Sequence, residues 1–258
     1  MAITTVDHII FRKLKDAGLI PAHPSVLELG EAEWYGDVST ETLSDDIETH
    51  VSDPALREEL HQRMVDIVCG DSKYKSWDLA KIFYKVYLDY DKLTAIDLHG
   101  TPAARQIDLN YPVALGEQFD IVLNGGTGEH VFNIHQFVRS THEFTKPGGL
   151  MMHIMPFRGW LDHGFYSFNP TFYWDLALAN DYAIRILAYT ELIPPKFIQL
   201  KKREKIIELA RDKSLGDNAT LYAVMQKDAV ERDFKIPMQG AYAGTISEEM
   251  AKAWHELR

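Results

Sequence analysis

The sequence predicts an α/β protein built on a mostly parallel sheet. Two observations support this fold class. Short apolar runs alternate with longer segments whose apolar residues recur at helical spacing, and this alternation favours parallel strands with helices on both faces of the sheet. The 258 residues, of which 46% are hydrophobic and 25% are charged, are enough for one substantial core.

The chain opens with a predicted helix and a predicted strand. Apolar side chains recur at helical spacing over residues 5–17, with Thr4 or Thr5 as the helix cap. The apolar run "SVLEL" (Ser25–Leu29) then predicts the first strand, and Gly30 closes it.

Residues 38–92 predict a helical insertion or cap, because this segment is too long for a plain crossover between two strands. Asp53 followed by Pro54 is a typical helix start, and a second helix is expected over residues 77–87. The one cysteine, Cys69, lies in an amphipathic run here and is interpreted as a buried structural thiol.

Six further runs bring the predicted sheet to seven strands. They are "LTAID" (93–97), "QIDLN" (106–110), "FDIVLN" (119–124), "LMMHIMP" (150–156), "YAIRILAY" (182–189) and "TLYAVMQK" (220–227). The last two flank one helix, so we expect an antiparallel edge strand. The basic run "KFIQLKKREK" (196–205) is interpreted as the solvated face of a helix.

Charge and hydropathy exclude several partners. The net charge of −11 repels phosphate backbones and anionic lipids, so nucleic acid and membrane surfaces are not expected as partners. The N-terminal segment carries charge throughout and does not resemble a signal peptide, and no apolar run approaches the ~18 residues that span a bilayer. We therefore expect a soluble, cytoplasmic protein.

The stretch "VLELGEAEWYGD" (26–37) resembles a nucleotide-binding turn that lacks most of its glycines. Gly30 permits close approach of the backbone, but Glu31 and Glu33 stand where a pyrophosphate cradle needs bare N–H groups. This disfavours a dinucleotide oxidoreductase and tolerates a cationic ligand. Taken by itself, the stretch is better interpreted as a tight turn that binds nothing.

Two later strands end in residues that strengthen a cofactor interpretation. Asp97 ends the second strand, where an acidic residue typically accepts hydrogen bonds from ribose hydroxyls. Asn124 ends the fourth strand, and three glycines follow it within "LNGGTGEHVF" without the lysine of a phosphate-binding loop. Ligands of open α/β sheets bind at such strand ends.

The segments "VLELG", "AIDLHG", "DLN", "FDIVLNGGTGEHVFN" and "KPGGLMMHIMP" together resemble class I S-adenosylmethionine-dependent methyltransferases over about residues 24–227. The resemblance implies a Rossmann-like fold in a single domain over residues 1–258, with a C-terminal extension from about residue 228 to 258. The later segment "FRGWLDHGFYSFNPTFYWDLALAN" is similar to a less characterised branch of these enzymes, near sugar or secondary-metabolite pathways.

The resemblance also implies S-adenosyl-L-methionine as the cofactor, and it assigns a set of positions to its parts. These are Glu28 and Gly30 at the methionine end, Asp97 and Leu98 at the ribose, Asp108 and Leu109 at the adenine, and Asn124 and Gly125 beside the sulfonium and its methyl group. The cofactor has no phosphates and is cationic at sulfur, so the missing glycines and the nearby carboxylates do not exclude it.

Aromatic residues after the fifth strand predict the acceptor site. Trp160 and Phe165, together with Tyr35 of the first turn, are the candidate substrate-binding residues, because aromatic faces bury small acceptors and stabilise a sulfonium. His163 is the first candidate for the base that takes the acceptor's proton.

His130 is the second candidate base, and Tyr166 is expected to orient the acceptor. Eleven histidines invite a metal hypothesis, with His135 and His142 seven residues apart on one predicted helix and Glu129-His130 just upstream. No H-E-x-x-H or Cys-x-x-Cys motif supports it, so no metal site is predicted.

Three functions stay open at this point. The first is methyl transfer to an O or N atom of a small-molecule acceptor. The second is aminocarboxypropyl transfer or intramolecular cyclisation at the same sulfonium, which releases methylthioadenosine. The third is a non-catalytic binding protein on a degenerate methyltransferase fold. The segment "FKIPMQGAYAG" (234–244) either folds back over the site or mediates a homodimer.

Overall fold

The computed structural model describes residues 2–35 and 37–256, apart from the side chains at positions 254 and 255. Gly36 of the predicted cofactor turn and the last two residues of the predicted C-terminal extension lie outside the described residues. The chain divides into two compact units, Met1–Ile107 and Asp108–Arg258. Seven strands belong to one mostly parallel sheet with an antiparallel edge strand, so the predicted α/β fold class is confirmed.

The first unit combines two parallel strand pairs with four helices. The pairs are β1 with β3, and β2 with β4. In chain order the elements are β1 (Ala2–Ile3), α1 (Thr5–Asp16), β2 (Ser25–Leu29), β3 (Glu33–Trp34), α2 (Thr40–His50), α3 (Pro54–Cys69), α4 (Lys75–Leu88) and β4 (Lys92–Ile96).

Local sequence explains where these helices begin. Thr4 caps α1: its backbone N–H and its hydroxyl both donate to the Asp7 carboxylate, at 2.9 and 2.7 Å. Asp53 accepts from the backbone N–H of Ala55 at 2.9 Å, with Pro54 as the first helical residue of α3. Both starts were predicted from sequence.

A cluster of aromatic side chains forms the core of the first unit. Phe11 of α1 and Phe83 of α4 meet at 5.2 Å between ring centroids, and Tyr87 lies 4.8 Å from Phe83. Cys69 is not part of this core. It is exposed at the last residue of α3, so the prediction of a buried thiol is wrong. Helical periodicity does not identify which face of the last turn is covered.

The second unit holds the antiparallel part of the sheet. Its elements are β5 (Phe119–Gly125), a short 3-10 helix (Gly128–His130), α5 (Ile134–Phe144), β6 (Thr145–Arg158), α6 (Pro170–Ala179), β7 (Ala183–Glu191), β8 (Lys196–Gln199), α7 (Glu204–Arg211), β9 (Ala219–Gln226), α8 (Gly240–Ala243) and α9 (Glu248–Glu256). Strand β6 pairs parallel to β5, β9 pairs antiparallel to both β6 and β7, and β8 forms the antiparallel edge beside β7.

Two element predictions need correction. Residues 106–110 form no strand; the preceding Arg105 makes one isolated bridge with Ile96. The seventh strand is β8, in the run that we interpreted as a helix surface. Phe197 and Ile198 have strong strand propensity and pair with Thr190 and Tyr189, and the basic residues that follow precede a shorter helix.

The C-terminal extension packs on the second unit. Lys235 exchanges two hydrogen bonds with the Asn180 side chain, at 2.7 and 2.9 Å, and the Arg232 carbonyl accepts from the His142 ring at 2.8 Å. Among the residues that the structure describes, no helix is long and apolar enough to cross a lipid bilayer.

Candidate functional site

The turn after β2 leaves the strand at Gly30. This residue has φ +93°, a conformation that a side chain would strain, and its N–H donates to the Ile96 carbonyl at 2.7 Å. Strand β3 then pairs with β1, and Tyr35 follows it with its side chain 71% exposed. The retained glycine is therefore the point where the chain turns away from the sheet.

A buried carboxylate directly follows the glycine of this turn. Glu31 is 2% exposed and accepts from both the backbone N–H and the hydroxyl of Thr101, at 2.6 and 3.0 Å. Lys81 of α4 lies 2.9 Å from the same carboxylate. A Cβ at Gly100 would approach Glu31 Oε2 to 2.7 Å, so only glycine leaves room for this network. The negative charge of Glu31 is compensated within the first unit.

Asp97 follows β4 and is oriented by two backbone N–H groups. Its Oδ2 accepts from Glu31 at 2.8 Å, and its Oδ1 accepts from His99 at 2.7 Å. Each carboxylate oxygen has a second lone pair, so the half-buried side chain retains capacity to accept hydroxyl donors. The next residue, Leu98, is 51% exposed.

Glu28 of β2 is also buried, and one of its two carboxyl oxygens is without a partner among the described residues. Its Oε1 accepts from the Ala32 N–H at 3.0 Å, whereas its Oε2 has no hydrogen-bond partner among the described residues. Burial raises the pKa of Glu28 to about 8. At neutral pH this carboxyl group is largely protonated and can donate a hydrogen bond.

In the second unit, Asp108 and Leu109 lie in a loop. The Asp108 carboxylate accepts from the backbone and the side-chain N–H groups of Asn110, at 2.9 and 2.8 Å. Leu109 is buried. Their predicted place at the adenine stays a prediction.

Asn124 lies near the end of β5, and its side-chain amide is fully engaged. Its oxygen accepts from the N–H groups of Thr127 and Gly128, at 3.2 and 3.1 Å. Its nitrogen donates to His153 Nδ1 and to Met155 Sδ, both at 3.1 Å. Burial lowers the pKa of His153 to about 4, which keeps this ring a neutral acceptor. Asn124 therefore shapes the turn that carries Gly125, and its predicted place beside the sulfonium stays a prediction.

Three ionisable side chains meet after this turn, and we call them the Glu–His–His cluster: Glu129 and His130 of the 3-10 helix, and His163 of the loop after β6. The Nε2 atoms of His163 and His130 lie 3.5 and 3.8 Å from Glu129 Oε1, and the two imidazole centroids are 5.0 Å apart. Glu129 is 1% exposed, and its Oε2 has no hydrogen-bond partner within the described part of the chain.

The environment of the cluster shifts two of its pKa values. Burial raises the pKa of Glu129 to about 7, and burial together with the neighbouring His163 lowers the pKa of His130. At neutral pH Glu129 is therefore divided between its protonated and ionised forms, and the His130 ring is held in its neutral form.

The loop after β6 is fixed to the cluster by backbone contacts. The N–H of Phe165 donates to the Glu129 carbonyl at 2.8 Å, and a Cβ at Gly164 would lie 3.0 Å from Glu129. Trp160 donates to the Ala219 carbonyl at 2.9 Å, with its ring centroid 4.9 Å from that of His163. The structure thus brings Trp160, His163 and Phe165 to the turn after β5.

A cleft of about 420 Å³ opens beside this loop. Tyr166 lies on its wall and donates to the Phe132 carbonyl at 2.7 Å. The cleft is lined by Ile134, Tyr166, Ser167, Phe168, Asn169, Thr171, Phe172, Asp175, Pro237 and Gln239. The last two belong to the C-terminal extension, which therefore contributes to the cleft wall.

Sequence reasoning missed two features of these turns. The first is the pairing of the Glu31 carboxylate with Lys81 and Thr101. These residues are far apart in the chain, and no sequence motif indicates that they meet. Glu129 was not proposed for any role, although it directly precedes a candidate base and follows the glycine cluster. The sequence signal that could have identified Glu129 is an acidic residue between the glycine cluster and a candidate base.

Comparison with known proteins finds similarity to curated methyltransferases. The chain is 33% identical over 98 residues to the ubiquinone biosynthesis O-methyltransferase of Ruegeria pomeroyi, which is 35% of this chain and 39% of that protein. It is 33% identical over 97 residues to the protein of the same name from Brucella anthropi, which is 34% and 39% of the two chains. The match thus spans about two fifths of the length of these relatives.

No protein-family model matches the chain. Among solved structures, the N-methyltransferase NodS of Bradyrhizobium japonicum is 12% identical, covering 86% of this chain and 94% of its own, with a TM-score of 0.39. A likeness of that size supports no conclusion by itself. The names of the two curated relatives confirm the resemblance to methyltransferases that the sequence motifs indicate.

Proposed function

We propose that this chain is an S-adenosylmethionine-dependent methyltransferase that methylates an O or N atom of a small-molecule acceptor. The observation that carries the proposal is the 33% identity over 98 residues to a curated O-methyltransferase. The strand-end residues of the first unit support it, because Asp97 and Glu28 offer polar groups that a sulfonium nucleoside requires.

The residues of the first unit fit the ribose and the amino-acid tail of the cofactor. Asp97 is oriented by two N–H groups and keeps lone pairs for ribose hydroxyls. Glu28 has an orphaned buried oxygen, which suits a hydrogen bond to the tail. Gly30 allows close approach, and the compensated Glu31 adds little net charge.

In this proposal, residues of the second unit bind the acceptor and take its proton. The cleft with Tyr166, Phe168 and Phe172 on its wall suits a flat, apolar molecule. We extend the acceptor site to Trp160 and Phe165, whose loop borders the Glu–His–His cluster. Tyr35 of the first unit stays a proposed substrate contact on the strength of its exposed ring.

Methyl transfer is an in-line displacement: the acceptor forms a bond to the methyl carbon while the carbon–sulfur bond breaks, and the electron pair stays on sulfur. The cofactor supplies the activated methyl group, and the protein contributes mainly by positioning. When its Nε2 is free, His163 takes the acceptor's proton, and Glu129 at 3.5 Å stabilises the imidazolium that forms. His130 is the alternative base.

The structure favours testing a second reaction at the same cofactor. Glu31 closes the first turn with buried bonds where the methionine tail is expected, so the tail has an unusual environment. Aminocarboxypropyl transfer would release methylthioadenosine, whereas methyl transfer would release adenosylhomocysteine. A binding protein without catalysis would release neither.

One experiment distinguishes these three functions. Calorimetric titration of the purified chain with S-adenosylmethionine measures binding, and mass spectrometry after incubation with small phenols and amines identifies the nucleoside product. Binding with adenosylhomocysteine supports the proposal. Methylthioadenosine as the product supports the second reaction. Absence of binding at millimolar cofactor contradicts both methyl transfer and aminocarboxypropyl transfer.

The role of His163 needs a separate test. His163→Ala should lower turnover at saturating cofactor by about 10²–10⁴-fold, which is the usual contribution of a general base. The matched control is His135→Ala, an exposed histidine on α5 outside the cluster. Equal turnover of both variants and the wild type would remove His163 as the base.

We further propose that the protein acts in the cytoplasm, in secondary metabolism. The sequence segment after β6 supports this pathway assignment.

We also propose that the chain forms a homodimer, which is one of the two roles predicted for the segment 234–244. Gel filtration with light scattering would test this proposal. A monomer at micromolar concentration contradicts the dimer and leaves the catalytic proposal intact.

A further inference from the structure

We propose that Glu129, His130 and His163 bind a divalent transition-metal ion. One nitrogen or oxygen atom from each of the three side chains lies within 4.8 Å of the others. The set comes from two segments, the 3-10 helix after β5 and the loop after β6, which the Phe165–Glu129 backbone bond holds together. The inference deepens the proposed function and rests on it only for its catalytic consequence.

The geometry is close to that of a coordinated ion. Nitrogen and oxygen ligands lie about 2.0–2.1 Å from Zn²⁺, so two ligands of one ion are roughly 3.0–3.5 Å apart. Glu129 Oε1 lies 3.5 Å from His163 Nε2 and 3.8 Å from His130 Nε2. Movements of about 1 Å or less of the side-chain ligand atoms would bring all three within coordination distance of one ion. The imidazole side chains of His130 and His163 are 47% and 40% exposed, which leaves them room for such shifts.

A second observation points to a ligand at this place. Glu129 is 1% exposed, and its Oε2 makes no hydrogen bond to any described residue. Burying a carboxylate oxygen without a partner is costly, and coordination of a cation is one of the ways in which proteins compensate it. A Cβ at Gly126 would lie 3.3 Å from Glu129 Oε1, so this glycine keeps one side of the carboxylate open.

The donor set selects the class of metal. Two imidazoles and one carboxylate suit Zn²⁺, Co²⁺, Ni²⁺ or Fe²⁺, whereas Mg²⁺ and Ca²⁺ prefer oxygen ligands throughout. Three protein ligands leave at least one coordination position open, which is typical of catalytic rather than structural sites.

The open position gives the metal a role in the proposed reaction. An ion held by these three side chains would act there as a Lewis acid: it would lower the pKa of an acceptor hydroxyl, so that the acceptor's proton would pass to water before methyl transfer. In this metal-bound form His163 is a ligand and not a base. The step needs no other reactant, since the proton goes to solvent and the electron pair of the carbon–sulfur bond stays on sulfur.

Cobalt provides a readout that does not depend on activity. Untagged protein, freed of metal with a chelator and dialysed, is titrated with Co²⁺ while the visible absorption of the ion and the heat of binding are recorded. The proposal predicts saturable binding of one Co²⁺ per chain with a change in the visible spectrum. Zn²⁺ should displace the Co²⁺ and abolish the spectrum.

Variants identify the ligands. His130→Ala, His163→Ala and Glu129→Gln should each weaken Co²⁺ binding by at least about tenfold. Two variants outside the cluster control for adventitious binding: His135→Ala, and Cys69→Ser at the exposed thiol. Thermal unfolding of Glu129→Gln checks the fold at the one buried position, and the two histidine variants test the proposal independently of it.

The outcomes separate this inference from the proposed function. Absence of saturable Co²⁺ binding, or equal binding by the wild type and all three ligand variants, overturns the metal site even if S-adenosylmethionine binds. Co²⁺ binding that depends on the three ligands establishes the site even if no methyl acceptor is found.

Discussion

Two parallel strands, β2 and β5, each have a buried glutamate near the carboxyl end, and the two glutamates differ in their surroundings. Glu28 precedes the turn after β2, and Glu129 lies in the turn after β5. Each is 1% exposed, and in each case Oε2 has no hydrogen-bond partner among the described residues. Burial raises both pKa values, to about 8 and about 7.

The neighbours of the two carboxyl groups differ. Around Glu28 the first turn is closed by backbone N–H donors and by the Glu31–Lys81 ion pair. Around Glu129 the second turn is glycine-rich and offers two exposed imidazoles. Equal burial is therefore accompanied by internal hydrogen bonds and an ion pair in the first unit, and by two exposed imidazoles in the second. Substitutions in the first turn should affect stability and cofactor affinity, and those in the cluster should affect chemistry.

The largest expected effect is on stability, at Lys81. Lys81→Met leaves the Glu31 carboxylate buried without its cation, and breaking a buried pair in this way costs about 3–5 kcal/mol. The free energy of unfolding, measured by urea denaturation, gives the value. The control is Lys85→Met on the same helix, whose Asp89 partner is exposed, with an expected cost of about 0–1 kcal/mol. Equal losses would contradict the idea that the first turn is stabilised by this network.

A smaller effect is expected on cofactor affinity at Asp97. Asp97→Ala removes the carboxylate proposed to accept the ribose hydroxyls, which should weaken S-adenosylmethionine binding by about 10–100-fold, equivalent to about 1.5–3 kcal/mol. Titration calorimetry measures the affinity. Asp91→Ala, at a carboxylate 72% exposed, should bind as the wild type does. A folded Asp97→Ala protein with unchanged affinity would place the ribose elsewhere.

The pH dependence of stability tests the buried state of Glu28. Its folded pKa is raised from 4.5 to about 8, so between these values the native state holds a proton that the unfolded state has released. Stability should therefore fall as pH rises through this window, by about 1.4 kcal/mol per pH unit for this group.

Glu28→Gln keeps the acceptor for the Ala32 N–H and removes this titration. Its unfolding free energy should decline less than that of the wild type between pH 5 and pH 8, in urea titrations at each pH. Glu33→Gln, in the same segment, controls for loss of a carboxylate. Parallel curves for Glu28→Gln and the wild type would show that Glu28 is ionised in the folded protein.

The smallest effect is expected in the second unit. Trp160→Phe loses the hydrogen bond to the Ala219 carbonyl and should cost about 0.5–1.5 kcal/mol. Trp174→Phe is the matched control, because the Trp174 Nε1 atom has no hydrogen-bond partner in the described part of the chain. If the two substitutions cost the same in thermal unfolding, the Trp160 hydrogen bond does not hold the aromatic loop.

Much of the fold followed from local pattern. The Thr4 and Asp53 caps and the strand at Ser25–Leu29 depend on neighbouring residues, which the sequence displays directly. The edge strand itself was misplaced, because Lys196–Gln199 is short and adjoins a basic run that masks its pairing with β7. The candidate site was only partly foreseen: His130, His163 and Trp160 do meet, but Glu129 was not assigned a role.

The sequence by itself determined the α/β class, the strand ends that carry Gly30, Asp97 and Asn124, and the resemblance to methyltransferases, because periodicity and strand-end residues are local properties of a chain. Only the tertiary structure decided which carboxylates are neutralised by a neighbouring cation and which are free to bind a ligand. It paired Glu31 with Lys81 and placed Glu129 between His130 and His163. Burial and distance between segments decide the state of a carboxyl group, and neither quantity is encoded at any single position.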